Sequence, residues 1–171
     1  VEIEFAVDLE SLQQATFYLL QIRPIVDAKE VVTENLALID PIHSILHSPN
    51  VLGHGIINDI SDVVYVKTEG FTAANNVTIA QEIDALNKQF AEDNNNYVLV
   101  GPGRWGSSDS WLGIPIKWPH ISQARVICEV TLDQYRINPS QGSHFFQNLT
   151  SLGVGYFTVN PFIENGGFFN Q

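Results

Sequence analysis

The 171-residue chain is 44% apolar, enough for one well-buried core, and carries 19 acidic against 8 basic residues for a formal net charge of −11. That balance lacks the basic footprint needed for phosphate-backbone contact and would be repelled by an acidic membrane surface, which argues against nucleic-acid and membrane partners. No apolar run approaches bilayer length, no charged leader opens the sequence, and the single cysteine rules out an internal disulfide, so a soluble cytoplasmic protein is expected.

Val1 to Asp8 alternates acidic or small residues with Ile3, Phe5 and Val7, and Phe17 to Arg23 runs Phe-Tyr-Leu-Leu-Gln-Ile-Arg before Pro24. Period-two alternation with a short connection predicts two half-buried strands paired as a hairpin. Side chains two apart share a face, so Gln21 and Arg23 lie together. Placed beside Glu2 and Glu4, they bring a carboxylate, an amide and a guanidinium onto one patch. Such a set suits a metal-bound polyphosphate, because carboxylates ligate hard cations and guanidinium forks onto phosphate oxygens. The same periodicity also fits an ordinary antiparallel hairpin with a solvated face.

The pair VEIEFAVDL and FYLLQIRPIV resembles the closing segment of the ATP-grasp nucleotide-binding domain in the phosphoenolpyruvate synthase and pyruvate phosphate dikinase family. Position by position, Glu4 resembles the family's metal-ligand glutamate, and Gln21 resembles the glutamine beside it. Arg23 resembles the arginine that reaches the nucleotide phosphates. The resemblance implies Mg²⁺ liganded by Glu4 and Gln21, and ATP phosphates met by Gln21 and Arg23. It implies a bacterial parent phosphotransferase with small-molecule substrates, whose remaining ATP-grasp domain is this segment's partner. Leu9 to Ala15 replaces the family's shorter turn. The phosphohistidine swivel domain and the barrel usual in that family are not recognisable after Asp27. Residues 50–162 instead resemble the tail of phosphoenolpyruvate synthase-like bacterial proteins, through GHGIIND, YVLVGPGRWGSSDSWLGIPIKW and NPSQGSHFFQNLTSLGVGYFTVN. The implied organisation is a terminal ATP-grasp hairpin at 1–26, a connector at 27–49, and a carboxyl-terminal domain at 50–171. A chain without methionine at its start is expected for a segment of a longer protein.

Within the connector Lys29 to Ala37 is a helical candidate, and Pro41 and Pro49 punctuate the stretch after it. Val63 to Lys67 predicts a strand from β-branched and aromatic residues. Asn75 and Asn76 open a helix in which Ile79, Ile83, Leu86 and Phe90 recur at helical spacing, with Thr78 and Gln81 as a capping-box pattern. The Asn94 to Asn96 run should end it. Tyr97 to Val100, Ala124 to Leu132 and Val154 to Asn160 read as strands, and Ser143 to Leu152 as a helix stopped by Gly153. Alternating strands and helices predict an α/β or α+β fold: a mixed sheet with flanking helices, preceded by the hairpin.

Gly101-Pro102-Gly103-Arg104-Trp105-Gly106 follows a strand and fits a glycine-rich dinucleotide template. The Ser-Ser-Asp-Ser-Trp sequence and prolines after it are poor helix material, so a dinucleotide site is rejected. Two readings remain for residues 101–109. Exposed N–H groups with Arg104, Ser107 and Ser108 could hold an anion, or the glycines simply allow close packing of Trp105 and Trp111. The three tryptophans are expected as core or interface anchors. Cys128 sits in an apolar run and should pack as a small hydrophobe.

Gly142-Ser143-His144 faintly echoes a phosphohistidine site, but Phe145 and Phe146 follow where small residues are wanted. His54 lies between two glycines. His43 and His47, four apart, would share a helical face able to bind a metal, but Pro41 and Pro49 leave little room for that helix and no third ligand is evident, so the histidines are expected to be structural. The leading expectation is the carboxyl-terminal part of a phosphoenolpyruvate synthase-like, ATP-dependent phosphotransferase. It contributes part of a Mg²⁺–ATP clamp without being catalytic alone or holding a cofactor tightly. The alternative is a non-catalytic regulatory or assembly module, with an anion- or partner-binding loop at 101–109 and homo-oligomerisation open.

Overall fold

A computed structural model of the protein describes residues 2–8, 15–23, 40–53 and 55–139, then Phe145, Asn148, Leu149 and 152–170. The amino-terminal strands are β1 (Glu2–Asp8) and β2 (Thr16–Arg23), an antiparallel two-stranded sheet. The hairpin pairs as the alternation predicts, but its strands are exposed rather than half-buried, and the pairing has one irregularity. Glu4 pairs with Gln21, but Phe5 pairs with Leu19, so Leu20 is an extra residue in the second strand. A bulge of this kind reverses which side chains share a face on either side of it. Ile3, Phe5, Val7, Phe17, Tyr18, Leu19, Leu20 and Ile22 are all exposed, so both faces of the hairpin present apolar surface.

The rest of the described chain contributes β3 (Leu46–His47), β4 (Asn50–Leu52), β5 (Ile60–Tyr65), α1 (Asn76–Asp93), β6 (Asn96–Pro102), β7 (Arg104–Trp105), β8 (Gly113–Ile114), β9 (Ala124–Val130), β10 (Gly155–Val159) and β11 (Phe168–Phe169). A five-stranded mixed sheet has the order β4-β10-β9-β6-β5. From β5 through β6 and β9 to β10 the neighbours are parallel, and only β4 runs antiparallel, against β10. Each crossover therefore steps the same way across the sheet, and α1, Trp105, Ile114, Phe145 and Leu149 from the three crossovers pack on a common face.

On that face Tyr97, Leu99, Ile127 and Tyr156 meet Ala80 and Ile83 of α1, together with Trp105, Ile114, Phe145 and Leu149. On the opposite face Val100, Cys128, Val130 and Val159 gather Phe71 and Leu132, with half-buried Leu46 and Phe169 against them. β3 pairs with β11, so residues assigned by sequence to the connector are already part of this unit.

The mixed sheet matches the sequence expectation, and the flanking helices are represented among the described residues by α1, by helical residues between 145 and 152, and by short turns. Between β6 and β9 the chain is occupied by β7, β8 and a 3-10 turn at Trp118–Ile121. The helix ends where the asparagine run predicts, with Asn94 left-handed at φ 53°. Two details of α1 are corrected. Thr78 lies inside the helix and the N-cap is Asn75, without a side-chain capping bond, so the capping-box reading fails. Ile79, Ile83 and Phe90 pack on the core as the spacing predicts, but Leu86 is exposed, and Asn76, Ala80 and Asn87 are buried with Ile83.

The reason is polar anchoring. The Asn87 amide donates to Pro119 O and Ser122 Oγ, and its oxygen accepts from Tyr97 Oη and Gln123 N, each of those last two at 3.0 Å. Asn76 donates to the carbonyls of Ser110 and Gly113 and fixes the loop before β8. Phe145, Asn148, Leu149 and Leu152 are helical, and Gly153 at φ 67° follows as a stop. The remaining residues of that predicted helix, and Lys29 to Ala37, lie outside the described residues.

Candidate functional sites at the hairpin and the strand ends

In the hairpin, Glu4 and Gln21 stand directly opposite each other, and Glu2 is the register partner of Arg23. The register therefore aligns the four positions singled out in the sequence, before the bulge intervenes. The carboxylate of Glu4 and the amide of Gln21 are exposed, and cross-strand partners lie close enough for one ion to reach both.

At the other candidate, the glycine-rich turn leads into β7 rather than a helix, as rejection of the dinucleotide template requires. The backbone donors of Arg104, Trp105 and Gly106 are engaged within the fold. Arg104 N donates to Leu112 O at 3.1 Å, and Gly106 N to Ile114 O at 2.9 Å. Trp105 N donates to Glu129 Oε1 at 3.0 Å, so the anion that meets this turn is an internal carboxylate. Arg104 is half-buried, and its Nε donates to Asn138 O at 2.7 Å. Ser107 Oγ bonds Asp109 O and accepts from Asp109 N, a local turn that also orients Asp109 toward Trp111 N. Arg104 and Ser107 thus serve different partners.

The glycines make close packing possible. A Cβ on Gly101 would stand 2.6 Å from the Trp105 ring, and one on Gly106 (φ 72°) would stand 2.3 Å from Phe145. Trp105 is buried and its indole N–H donates to Cys128 O at 2.9 Å, and Trp118 stacks on Phe145 with centroids 4.4 Å apart. Trp111 differs, being 67% exposed, because Asp109 and Tyr135 hold its backbone rather than its ring.

Beneath the turn lies a group that the sequence reading passed over. Glu129, near the end of the apolar run Val-Ile-Cys-Glu-Val, is only 4% exposed. Its second oxygen accepts from Tyr156 Oη at 2.6 Å, and Tyr156 is itself buried on the parallel neighbour β10. An acidic residue inside an otherwise apolar strand was the available signal, since such a group is retained only when hydrogen-bonded. Neighbouring Cys128 is fully buried, and its thiol is pushed above the ordinary range, first by burial and then by the Glu129 charge. It packs as a small hydrophobe, as expected.

Glu129 also borders a cavity of about 330 Å³ at the carboxyl ends of β9 and β10. Thr131, Thr158 and Asn160 share its lining with Arg136, Asn138 and Phe162. Parallel strands characteristically open such crevices beyond their carboxyl ends.

Among the histidines, His43 ends a 3-10 turn and His47 lies in β3, so they do not share a helical face. His47 stacks on Phe168, and His120 Nδ1 accepts from Lys117 N. His54 and His144 lie outside the described residues. Among the described residues no cluster of three or more His, Cys, Asp or Glu side chains is arranged to hold a metal ion, and no helix is long and apolar enough to cross a membrane.

The fold and these features define a mixed α/β unit with a strand-end cavity, preceded by an apolar hairpin. No protein-family model, curated protein or solved structure matches the chain.

Proposed function

We propose that this chain is the carboxyl-terminal part of a phosphoenolpyruvate synthase-like phosphotransferase, in which the hairpin forms one wall of a Mg²⁺–ATP clamp. The observation that carries the reading is the register of Glu4 with Gln21 and of Glu2 with Arg23. Glu4 and Gln21 offer one carboxylate and one amide oxygen, a hard-donor pair suited to Mg²⁺. They fill only part of the roughly six-fold shell such an ion takes, so phosphate oxygens, waters and other residues complete it. Phosphoryl transfer depends mainly on positioning and electrostatic stabilisation, so a partial wall contributes to the reaction without performing it.

The two-faced apolar surface of the hairpin supports the same reading. An isolated two-stranded sheet is marginal in water, and a larger sheet or helix layer would bury these side chains. The coding sequence upstream of Val1 is the direct test. An ATP-grasp segment with a glycine-rich phosphate loop and a lysine is expected there, and an unrelated upstream domain would sink the proposal. In the longer protein, Glu4→Gln should reduce ATP-dependent phosphoryl transfer at fixed Mg²⁺ and be partly offset by raising Mg²⁺. The 171-residue chain alone should give no heat signal with Mg²⁺–ATP, whereas micromolar binding would contradict a partial clamp.

A second reading is favoured by the domain after the connector. Its cavity and buried Glu129 are separate in sequence from the hairpin set. A regulatory module would sense a ligand there without taking part in turnover.

A further inference from the structure

We propose that a trough lined by Glu69, Asp133 and three phenylalanines binds a small organic cation, an alkylammonium. This goes beyond the clamp reading and does not depend on it.

The trough has a volume of about 570 Å³ and lies at the carboxyl ends of β9 and β10, whose last residues Val130 and Val159 form part of its floor. Crevices beyond the carboxyl ends of parallel strands are recurrent ligand positions in α/β folds. Val130, Val159 and Leu132 belong to the core, with Phe169 packed against them, so the fold itself sets this floor. A site held on rigid elements costs a ligand little ordering of the protein.

The charged groups around the floor are of one sign. Glu69 and Asp133 line the trough, and no lysine, arginine or histidine does. The rings of Phe162, Phe168 and Phe169 add to that bias, because aromatic faces carry the negative end of a quadrupole. Both carboxylates are exposed but differ in what they hold. Asp133 is paired with Arg136, whereas Glu69 makes no hydrogen bond or ion pair among the described residues, so its charge is open to a ligand. Two carboxylates without a third ligand group do not make a metal site, which leaves an organic cation as the better fit.

The protein supplies its own example of the contact. The Arg136 guanidinium lies 4.9 Å from the centre of the Phe162 ring, and it lines the neighbouring cavity rather than this trough. Asp133 offsets its charge, so a second cation reaching Phe162 from the trough meets no net positive neighbour. An alkylammonium satisfies both parts of the surface. Its head is attracted by Glu69 and by the ring faces, and its alkyl body covers Leu132 and Val130.

The test uses the 171-residue chain and amide chemical-shift mapping at fixed pH and ionic strength. The probes are choline and butylammonium, each set against its uncharged analogue: the all-carbon analogue of choline, and butanol. At least one ammonium probe should shift the Thr131, Leu132 and Gln134 amides and bind about fourfold or more tightly than its uncharged analogue. Preference for choline would identify an alkylated head, and preference for butylammonium a primary one. Glu69→Gln and Phe162→Leu should each weaken the ammonium probe by about two- to fivefold, the range for an exposed ion pair or cation–ring contact, and leave the uncharged analogue unchanged. Both side chains are exposed, so these changes leave the core intact. Unshifted amides with both ammonium probes would overturn the proposal. So would equal affinity for the uncharged analogues, or ammonium affinity unchanged in either variant. The wild-type comparison of charged and uncharged probes decides the question even where a variant does not fold.

Discussion

Tyr156→Phe removes one hydroxyl from the core and nothing else, which makes it the sharpest probe of the Glu129 arrangement. Tyr156 is 2% exposed and its hydroxyl donates to Glu129 Oε2 at 2.6 Å, so neither partner has water as a ready substitute. A hydrogen bond to a charged group contributes about 1.5–3 kcal/mol net, because part of its gross strength replaces hydration lost on burial. For a domain of this size each kcal/mol corresponds to roughly 2–4 °C in Tm, so the variant should melt about 3–12 °C lower.

Glu129→Gln should be milder. The side-chain volume is kept, an oxygen can still accept from Trp105 N–H, and the tyrosine hydroxyl can reverse to accept from the new amide. Urea unfolding of both single variants and the double variant measures the coupling directly, with an interaction energy of about 0.5–3 kcal/mol expected for residues in contact. A Tyr156→Phe protein within about 0.5 kcal/mol of wild type, the scatter of neutral substitutions, would refute the reasoning. Strict additivity in the double variant would refute it equally.

Asn87→Leu should destabilise by about 2–4 kcal/mol in the same assay, since it leaves the buried Tyr97 hydroxyl and the Gln123 N–H without their shared acceptor. A neutral result would show that α1 is held by its apolar contacts alone. Cys128 should resist a thiol-reactive disulfide reagent in the folded protein and react fully after denaturation. Burial also raises the Tyr97 phenol, so folded Cys128 and Tyr97 retain protons that the unfolded chain releases above their ordinary values of 9.0 and 10.0. Their contribution to stability is complete below pH 9 and falls as pH rises further, so unfolding midpoints should drop between pH 9 and 11. Cys128→Ala should remove the earlier part of that fall, and a flat profile would contradict the assignment.

The elements legible in the sequence are those whose local pattern agrees with their surroundings. β1 shows period-two alternation, and α1 ends at an asparagine suited to the left-handed cap. The central strands stand out as apolar, β-branched runs. What escaped depends on long-range partners. β3, β4 and β11 are two or three residues long and exist because distant strands meet them, so no local periodicity marks them. The buried face of α1 is legible at Ile79, Ile83 and Phe90, which pack on the core, but not at Asn76 and Asn87, which look like surface residues until the acceptors and donors around them are known. The bulge at Leu20 was hidden because β2 is apolar through the point where its register changes. Glu129 was visible as an acid within an apolar strand, but its importance lies in Trp105, 24 residues away, and Tyr156, 27 residues away.

The proposed clamp at the hairpin and the enclosed Glu129 carboxylate at the strand ends differ in electrostatic character, and this constrains how they could serve one protein. Glu4, Gln21 and Arg23 suit a cation bridged to phosphate, in which the metal and the guanidinium together offset the ligand's negative charge. Glu129 instead places an enclosed carboxylate against its cavity and, in a chain of net charge −11, gains no favourable long-range field for attracting anions. A shared anionic substrate moving between the two sites would therefore be attracted at one and repelled at the other. If the hairpin holds metal and phosphate as proposed, the enclosed Glu129 carboxylate makes the strand ends an unsuitable second stop for the same anion.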